Sequence, residues 1–296
     1  MRLLTTVDEM RLACRQARQQ AGEGASLALI PTMGAIHRGH LSLVEAAGRD
    51  CDVVAASIFV NPLQFGPTED FDRYPRTFED DCRQLAAAGV DLLFAPSTQE
   101  MYPPGATTFV EVPGLSERLD GASRPGHFRG VATVVNKLFN IISPDLAYFG
   151  QKDAAQVAVL QAMVRDLDLP VRIVVCPIVR EADGLAMSSR NRYLSSDERT
   201  QALVLSRVLQ LVEERIRQGE TRSDILRAAA EEVLNRVPSL RPDYIAIVNP
   251  DTLEPVASTE FGALVALAAW VGETRLIDNL RMPPATSSAQ VTRTLS

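Results

Sequence analysis

The amino-acid sequence predicts an α/β protein, in which a Rossmann-like, doubly wound parallel sheet is followed by a smaller C-terminal α+β domain. The first observation is a strand–turn–helix–strand unit over residues 27–60, the usual signature of parallel pairing. The second is the continued alternation of strand and helix patterns as far as residue 179. The third is a change after Glu181, where two amphipathic helices precede three strand candidates.

Each element follows from its own spacing of apolar residues. In the first domain, strands are predicted at residues 27–30, 53–60, 90–95, 107–112, 146–149 and 171–179. Helices are predicted at residues 7–21, about 41–47, 77–88, 130–142 and 154–166. Thr77 is the predicted N-cap of its helix, with Asp80 near the capping-box position. The second domain has predicted helices at 197–218 and 223–237, and predicted strands at 244–248, 263–271 and 274–277.

These patterns divide the chain into a domain over residues 1–180 and a smaller domain over residues 181–282. The last residues, 283–296, are small and polar, which predicts a disordered tail. Residues 96–130 are rich in proline and glycine and are interpreted as a mobile lid or active-site loop. A lid role for Asp120, Arg124 and His127 in this loop is left open. Asp70, Asp72 and Arg73 are interpreted as a solvated charged loop.

Composition restricts the class of protein. Of 296 residues 46% are apolar and 23% are charged, as in ordinary globular proteins, and the net charge of −7 disfavours nucleic acid and anionic membranes as partners. The four cysteines are widely spaced and form no C-x-x-C pair, which predicts reduced thiols in a cytoplasmic protein and no metal site. No apolar run approaches the ~20 residues that span a bilayer, and no signal-peptide pattern opens the chain.

The turn after the first predicted strand of the sheet contains two of the three histidines, His37 and His40. A helix begins there, and its N-terminus presents unpaired N–H groups that suit a phosphate. Residues three apart share a helix face, so both rings can point at one ligand. Gly34 and Gly39 allow backbone or a flat base to approach closely. The alternative is a pair of surface histidines that cap a helix.

Other candidate residues lie in turns and each has an ordinary alternative. Lys152, beside Asp153 in a strand-to-helix turn, is either a phosphate contact or a solvated lysine. Two hydroxyls and a guanidinium in Met187-Ser188-Ser189-Arg190 form either an anion-binding nest or a capping turn. Gln64 and Gln156 are either substrate-binding amides or polar loop and helix-start residues.

The segment Pro31-Thr32-Met33-Gly34-Ala35-Ile36-His37-Arg38-Gly39-His40 resembles the P-T-M-G-x-L-H-x-G-H motif of the pantothenate synthetase family, and more distantly the H-x-G-H signature of nucleotidyltransferases and class I aminoacyl-tRNA synthetases. Four further segments carry the same resemblance in family order: residues 59–65, 127–130, 149–156 and 179–191. The likeness covers residues 1 to about 280. Ile36 stands where the family usually has leucine, Gln151 where glutamate is common and Ala155 where a second glutamine is common, and none of these changes removes a charge that the phosphate chemistry needs.

The resemblance implies that residues 1–180 bind ATP and pantoate and that the second domain closes over the site. It implies pantoate binding by Gln64 and Gln156, and β-alanine binding by Gln64. It implies catalytic roles for His37, His40 and Lys152, with His40 as the proton donor. The implied ATP-binding residues are Met33, Gly34, Ala35, Ile36, His37, Arg38, Gly39, His40, Gly150, Gln151, Lys152, Asp153, Val179, Met187, Ser188, Ser189 and Arg190.

The implied reaction is condensation of pantoate with β-alanine through a pantoyl adenylate, with release of pyrophosphate and AMP. Mg²⁺ would be held mainly by phosphate oxygens and water rather than by a dedicated set of protein ligands. The resemblance also implies a homodimer, small-molecule substrates, and neither a nucleic-acid nor a membrane partner.

Three alternatives remain at the level of the sequence. Another adenylyl- or cytidylyltransferase would share the opening motif but would not need Asn61-Pro62-Leu63-Gln64. A catalytically silent nucleotide-binding or scaffold protein is disfavoured by the intact set His37, His40, Lys152 and Ser188-Ser189-Arg190. A tRNA-binding protein would need a basic face or an added RNA-binding domain, and the sequence shows neither.

Overall fold

The computed structural model describes residues 1–67, 69–237 and 239–284. The chain forms two compact units, Met1–Tyr193 and Leu194–Ser296. Segment 181–193, which the sequence analysis assigned to the second domain, therefore packs with the first. In the predicted tail, Pro283 and Pro284 have no regular secondary structure, and residues 285–296 lie outside the described residues.

The first unit alternates strands and helices along the chain. Its strands are β1 (Arg2–Leu4), β2 (Leu27–Thr32), β3 (Val53–Ile58), β4 (Leu92–Phe94), β5 (Leu146–Gly150) and β6 (Arg172–Cys176). Its α-helices are α1 (Val7–Ala21), α2 (Arg38–Asp50), α3 (Phe78–Ala87), α4 (Thr98–Met101), α5 (Asp120–Ser123), α6 (His127–Ile142) and α7 (Ala154–Asp166). Short 3₁₀ turns lie at Pro62–Gln64, Leu115–Glu117, Gln151–Asp153 and Ser189–Tyr193.

The six strands form one parallel sheet in the order β1-β4-β3-β2-β5-β6. β3 and then β4 lie on one side of β2, and β5 and then β6 lie on its other side. The order of the strands therefore reverses between β2 and β5. In open parallel sheets, ligands bind beyond the carboxyl ends of the strands at such a switch point. The doubly wound parallel sheet that the sequence predicts is confirmed.

Apolar runs place the central strands in the core. Every residue of β2 except Pro31 is buried, and so are Val53 to Ser57 of β3, as expected for strands covered by helices on both faces. Helix α2 packs Leu43, Val44 and Ala47 into the same core. These contacts hold the start of α2 directly beyond the end of β2.

Several predicted element boundaries are wrong. β1 was not predicted, β3 ends at Ile58, and β6 covers Arg172–Cys176 only. Residues 107–112 are not a strand; the Val110 amide donates to Thr133 Oγ1 of α6 (3.0 Å), so a helix side chain replaces a neighbouring strand as its partner. Helix α6 begins earlier than predicted, at His127, after Gly126 adopts a φ of +82°.

The predicted capping box at the start of α3 is also not formed. Thr77 is the N-cap residue, but its side chain makes no capping hydrogen bond. Its hydroxyl donates to Asp81 Oδ1 (3.0 Å), while Asp80 accepts from Arg83 and Gln84 on the helix surface. The Thr77 hydroxyl thus bonds to the buried Asp81 carboxylate and not to a backbone amide at the helix N-terminus.

The second unit combines helices with an antiparallel sheet. Its elements are α8 (Ser196–Ala202), α9 (Val204–Arg217), α10 (Ser223–Leu234), β7 (Leu240–Val248), β8 (Ala263–Val271) and β9 (Thr274–Met282). The strands pair in the order β7-β8-β9, and the apolar central strand β8 is buried at every position but Trp270. The smaller α+β fold is confirmed, although the helix predicted at 197–218 is divided in two at Leu203. Among the described residues of the whole chain, none of the helices is both long and apolar enough to cross a bilayer.

Candidate active site

A cavity of about 210 Å³ lies in the first unit, beyond the carboxyl ends of β2, β3, β5 and β6. The segments that follow these four strands supply most of its lining. Of the predicted site residues, those that line it are Met33, His37, Gly39, His40, Gln64, Gly150, Lys152, Asp153, Gln156, Val179, Met187, Ser188, Ser189 and Arg190. Those that do not are Gly34, Ala35, Ile36, Arg38 and Gln151. The structure thus brings together residues that lie up to about 160 positions apart in the chain, as the switch point of a doubly wound sheet allows.

His37 and His40 form a stacked pair at the start of α2. Their ring centroids are 4.0 Å apart and the ring planes differ by 20°. His37 is the N-cap residue of α2, and its Nδ1 accepts a hydrogen bond from the Gly39 amide at 3.1 Å. Because Nδ1 accepts, the neutral ring of His37 carries its proton on Nε2. His37 therefore both caps the helix and offers one N–H donor, so the capping and ligand-binding roles are compatible.

Both histidines are neutral at neutral pH. Burial, with the nearby positive charge of Lys152, lowers the pKa of His37 from 6.5 to about 4. Burial, with His37 and Lys152 next in effect, holds the pKa of His40 well below its usual value. Nδ1 of His40 is buried and has no hydrogen-bond partner among the described residues. A polyphosphate beside these rings would raise both pKa values, because its negative charge favours the protonated form.

Asp81 of α3 fixes the turn that leads into the histidines. Its carboxylate is 1% exposed and accepts hydrogen bonds from the amides of Ala35 (2.9 Å) and Ile36 (2.8 Å). Gly34 has a φ of +85°, and a Cβ there would lie 3.0 Å from Asp81 Oδ2. Ala35 and Ile36 thus serve the site through their backbone and do not line the cavity. Asp81, which is one of three consecutive acidic residues, is not among the site residues predicted from the sequence.

The turn after β5 supplies Lys152, Asp153 and, at the start of α7, Gln156. Nζ of Lys152 lies 3.9 Å from Asp153 Oδ1, and the lysine side chain is 21% exposed. Lys152 is therefore not the fully solvated lysine of the alternative interpretation. Its charge contributes to the lowered pKa of both histidines, which places it in the same electrostatic environment.

The Ser188–Arg190 segment reaches the cavity through a hairpin after β6. The Met187 amide donates to the Val179 carbonyl (3.0 Å), and an antiparallel bridge pairs Arg180 with Ala186. Met187 Sδ accepts from the Gly39 amide at 3.2 Å, so the hairpin is joined to the start of α2. Val179 and Met187, which lie eight positions apart in the chain, line the cavity together.

Arg190 forms an ion pair that the sequence analysis did not anticipate. Its Nε and Nη2 each donate to Asp70 at 2.9 Å, and its guanidinium lies 5.8 Å from the Tyr74 ring centroid. The interpretation of Asp70 as a solvated loop residue is therefore wrong, although Asp72 and Arg73 are exposed. Hydrogen bonding and the charge of Asp70 raise the pKa of Arg190 despite its burial. A guanidinium has five N–H groups, so this pair leaves donors for a phosphate.

Gln64 lies in the 3₁₀ turn after β3 and is only 8% exposed. Its Oε1 accepts from Asn61 Nδ2 at 3.2 Å, and its Nε2 donates to Met33 Sδ at 2.7 Å. Asn61 is itself buried, and its Oδ1 accepts from the hydroxyl of Tyr102 at 2.9 Å. Asn61 and Tyr74 also line the cavity but were not predicted as site residues. Asn61 entered the prediction only as part of the segment Asn61-Pro62-Leu63-Gln64, and a single tyrosine in a loop carries no distinctive signal.

Within residues 1–67, 69–237 and 239–284, no group of three or more His, Cys, Asp or Glu side chains is arranged to hold a metal ion. The four cysteines are all free thiols.

Comparison with known proteins decides the family. A family model described as Pantoate-beta-alanine ligase matches residues 2–281, which is nearly the whole chain. The chain belongs to the pantoate-beta-alanine ligase family. A pantothenate synthetase of Acidobacterium capsulatum is 59% identical over 288 residues, covering 95% of this chain and 96% of that protein. One of Koribacter versatilis is 55% identical over 285 residues, covering 96% of this chain and 97% of that protein.

Solved structures give the same result. The pantothenate synthetase from Thermus thermophilus matches with a TM-score of 0.90 at 50% identity, covering 96% of this chain and 100% of that one. The pantoate-beta-alanine ligase from Francisella tularensis, complexed with beta-gamma ATP and beta-alanine, matches with a TM-score of 0.75 at 33% identity, covering 95% and 97%. The family resemblance and the fold class predicted from the sequence are confirmed. As a member of this family, the protein is a ligase that joins pantoate to β-alanine.

Proposed function

We propose that the protein catalyses the ATP-dependent condensation of pantoate with β-alanine through a pantoyl adenylate. The observation that carries this proposal is one cavity lined by the stacked His37–His40 pair, Lys152 and the Ser188–Arg190 segment. N–H donors, hydroxyls and cations beside a helix N-terminus suit the phosphates of a nucleotide. The complex of the Francisella tularensis ligase with beta-gamma ATP and beta-alanine supports the same assignment.

The first half-reaction forms the adenylate. A carboxylate oxygen of pantoate attacks the α-phosphorus of ATP, the bond from that phosphorus to the bridging oxygen of the β-phosphate breaks, and pyrophosphate leaves. His37 and His40 donate hydrogen bonds to phosphate oxygens, while Lys152 and Arg190 neutralise the charge that grows on the leaving group. Because both histidines are neutral before the nucleotide arrives, they add donors without repelling Lys152.

The second half-reaction forms the amide. The amine nitrogen of β-alanine attacks the acyl carbon of the adenylate, the bond from that carbon to the AMP oxygen breaks, and the amine loses a proton. Gln64 and Gln156 hold pantoate, and Gln64 also contacts β-alanine, through amide donors and acceptors. No covalent enzyme intermediate is required, because aligning the reactants in one cavity supplies the catalysis.

Mg²⁺ is proposed to enter with ATP as part of the substrate. Phosphate oxygens and water supply most ligands of Mg²⁺ in nucleotide sites, so no resident set of protein ligands is needed. We further propose a cytoplasmic homodimer. The family resemblance is what supports the dimer, and light scattering on the purified protein tests it.

Product analysis tests the adenylate route. Incubation with ATP, Mg²⁺, pantoate and β-alanine is expected to yield AMP and pyrophosphate in equal amounts, because cleavage occurs between the α and β phosphates. Anion-exchange chromatography of the nucleotides measures this directly. Without pantoate, no AMP is expected. Formation of ADP and inorganic phosphate would exclude the adenylate mechanism.

Substitution of Gln64 tests the division of the cavity into substrate regions. Gln64→Ala is expected to lower kcat/KM for pantoate by the equivalent of about 1–3 kcal/mol, because losing a hydrogen bond to a buried partner usually has an effect of this size. ATP affinity measured by calorimetry is expected to stay nearly unchanged, because the phosphate-binding residues lie in other segments. If ATP affinity fell together with pantoate use, the assignment of Gln64 to pantoate would be wrong.

A further inference from the structure

The backbone of Gln64 is held by side chains from outside the cavity lining. Its carbonyl oxygen lies 2.8 Å from Nδ1 of His127 and 3.3 Å from Nη2 of Arg124. Neither His127 nor Arg124 is among the residues that line the cavity, whereas Gln64 is. The two side chains therefore contact the turn that presents the Gln64 amide without lining the cavity themselves.

The surroundings of His127 determine its tautomer. Nε2 of the ring lies 3.1 Å from Nη1 of Arg124, and an arginine side chain can only donate. Nε2 must then accept, so the neutral ring carries its proton on Nδ1 and donates it to the Gln64 carbonyl. Burial and the adjacent Arg124 lower the pKa of His127 to about 4, in agreement with a neutral ring. Nδ1 of His127 thus donates a hydrogen bond, and Nε2 accepts one.

Arg124 is in turn oriented by Glu69. Its Nε and Nη2 donate to the two carboxylate oxygens of Glu69 at 2.8 and 2.5 Å, a bidentate pair that fixes the plane of the guanidinium. The two side chains are 17% and 23% exposed, so the pair is better shielded than a surface salt bridge. A continuous set of contacts therefore runs from Glu69 through Arg124 and His127 to the Gln64 carbonyl.

The backbone of α6 supports the same turn. A Cβ on Gly130 would lie 2.3 Å from the Leu63 carbonyl oxygen and 2.6 Å from the Gln64 nitrogen, so α6 contacts the turn without an intervening side chain. Asn61 Nδ2 donates to the Gly130 carbonyl at 3.0 Å. His127 is the first residue of this helix. The residue that contacts the Gln64 carbonyl therefore belongs to the helix that packs directly against the same turn.

We propose that His127, oriented by Arg124 and Glu69, is a positioning residue for the pantoate site that acts by fixing the Gln64 turn. This inference rests on the proposed assignment of Gln64 to pantoate. It gives Arg124 and His127, whose lid role the sequence left open, a supporting role instead, because both contact a turn that contributes to the cavity. A positioning residue of this kind affects how tightly pantoate is bound and leaves the nucleotide region unaltered.

Steady-state kinetics of His127→Ala test the proposal. The KM for pantoate is expected to rise roughly tenfold, the effect of losing about one net hydrogen bond. The KM for ATP is expected to stay within about twofold of the unsubstituted protein. His127→Asn keeps a short amide donor for the Gln64 carbonyl and is expected to recover most of the pantoate affinity. Asn140→Ala, at an exposed position of the same helix, is the matched control and is expected to change neither KM.

Three results would overturn the inference. The first is a parallel rise in the KM for ATP and pantoate, and the second is an equal defect in His127→Ala and His127→Asn when thermal melting shows both to be folded. The third is an unchanged KM for pantoate in His127→Ala. If His127→Ala does not fold, the KM for pantoate and the KM for ATP are compared in His127→Asn and Arg124→Lys instead. Arg124→Lys loses the bidentate geometry but keeps the charge. Gln64→Ala is assayed in parallel. If Gln64→Ala raises the KM for pantoate and His127→Ala does not, only the positioning role of His127 is excluded. If Gln64→Ala leaves the KM for pantoate unchanged, the proposed assignment of Gln64 to pantoate is itself wrong.

Discussion

His40→Ala is expected to slow pantoate-dependent release of pyrophosphate by roughly 100- to 1,000-fold, about 3–4 kcal/mol, the usual effect of removing one transition-state donor. His40 stacks on His37 at the start of α2, and its Nδ1 is buried without a partner among the described residues. A neutral ring held there can donate to phosphate charge that develops as the adenylate forms. The rate is measured by coupled detection of pyrophosphate.

The second half-reaction separates this role from a structural one. Preformed pantoyl adenylate with β-alanine is expected to give pantothenate at nearly the normal rate in His40→Ala, because pyrophosphate has already left. Glu45→Ala, at an exposed position of the same helix, is expected to affect neither half-reaction. Equal damage to both half-reactions would instead indicate that His40 maintains the structure of the turn.

Asp81→Ala is expected to lower the free energy of unfolding by roughly 2–6 kcal/mol. The substitution leaves two backbone amides buried without an acceptor, and each costs about 1–3 kcal/mol. Those amides are Ala35 and Ile36, which donate to Asp81 at 2.9 and 2.8 Å. Adenylate formation is expected to fall as well, since the same turn leads into His37. Urea unfolding followed by circular dichroism measures the change in stability.

The neighbouring carboxylate provides a matched control. Asp80 lies on the same helix with its side chain 56% exposed and pairs with Arg83. Asp80→Ala is therefore expected to change stability by less than about 1 kcal/mol, as for other surface ion pairs. If the two variants unfolded at the same urea concentration, Asp81 would not be what holds the turn.

The sequence predicted the fold class because it depends on local patterns, and most of the residues proposed for the site from the sequence line the cavity. Apolar runs of strand length alternate with segments of helical spacing, and this alternation requires parallel pairing. The segments after β2, β3, β5 and β6 all reach one edge of the sheet, so candidate residues in those turns are brought together by topology alone. Boundaries were less predictable. Residues 107–112 have the composition of a strand, but Val110 pairs with Thr133 of a helix instead.

Contacts between distant side chains were not predictable from the sequence. Arg190 pairs with Asp70 across 120 positions, and His127 contacts the Gln64 carbonyl across 63. Neither contact has a sequence pattern, because an arginine or a histidine has many possible partners and folding selects one. Asp70 consequently differs from its predicted role as a solvated residue.

By itself, the sequence determined the doubly wound sheet, the paired histidines at a helix start and the family, since each is encoded by residues close together in the chain. Only the tertiary structure decided how the turns of the site are held. Among the consecutive acids Glu79, Asp80 and Asp81, burial selects Asp81, which alone of the three accepts from the Ala35 and Ile36 amides. The physical reason is that a buried N–H requires an acceptor, and which side chain supplies it depends on how α3 packs against the turn.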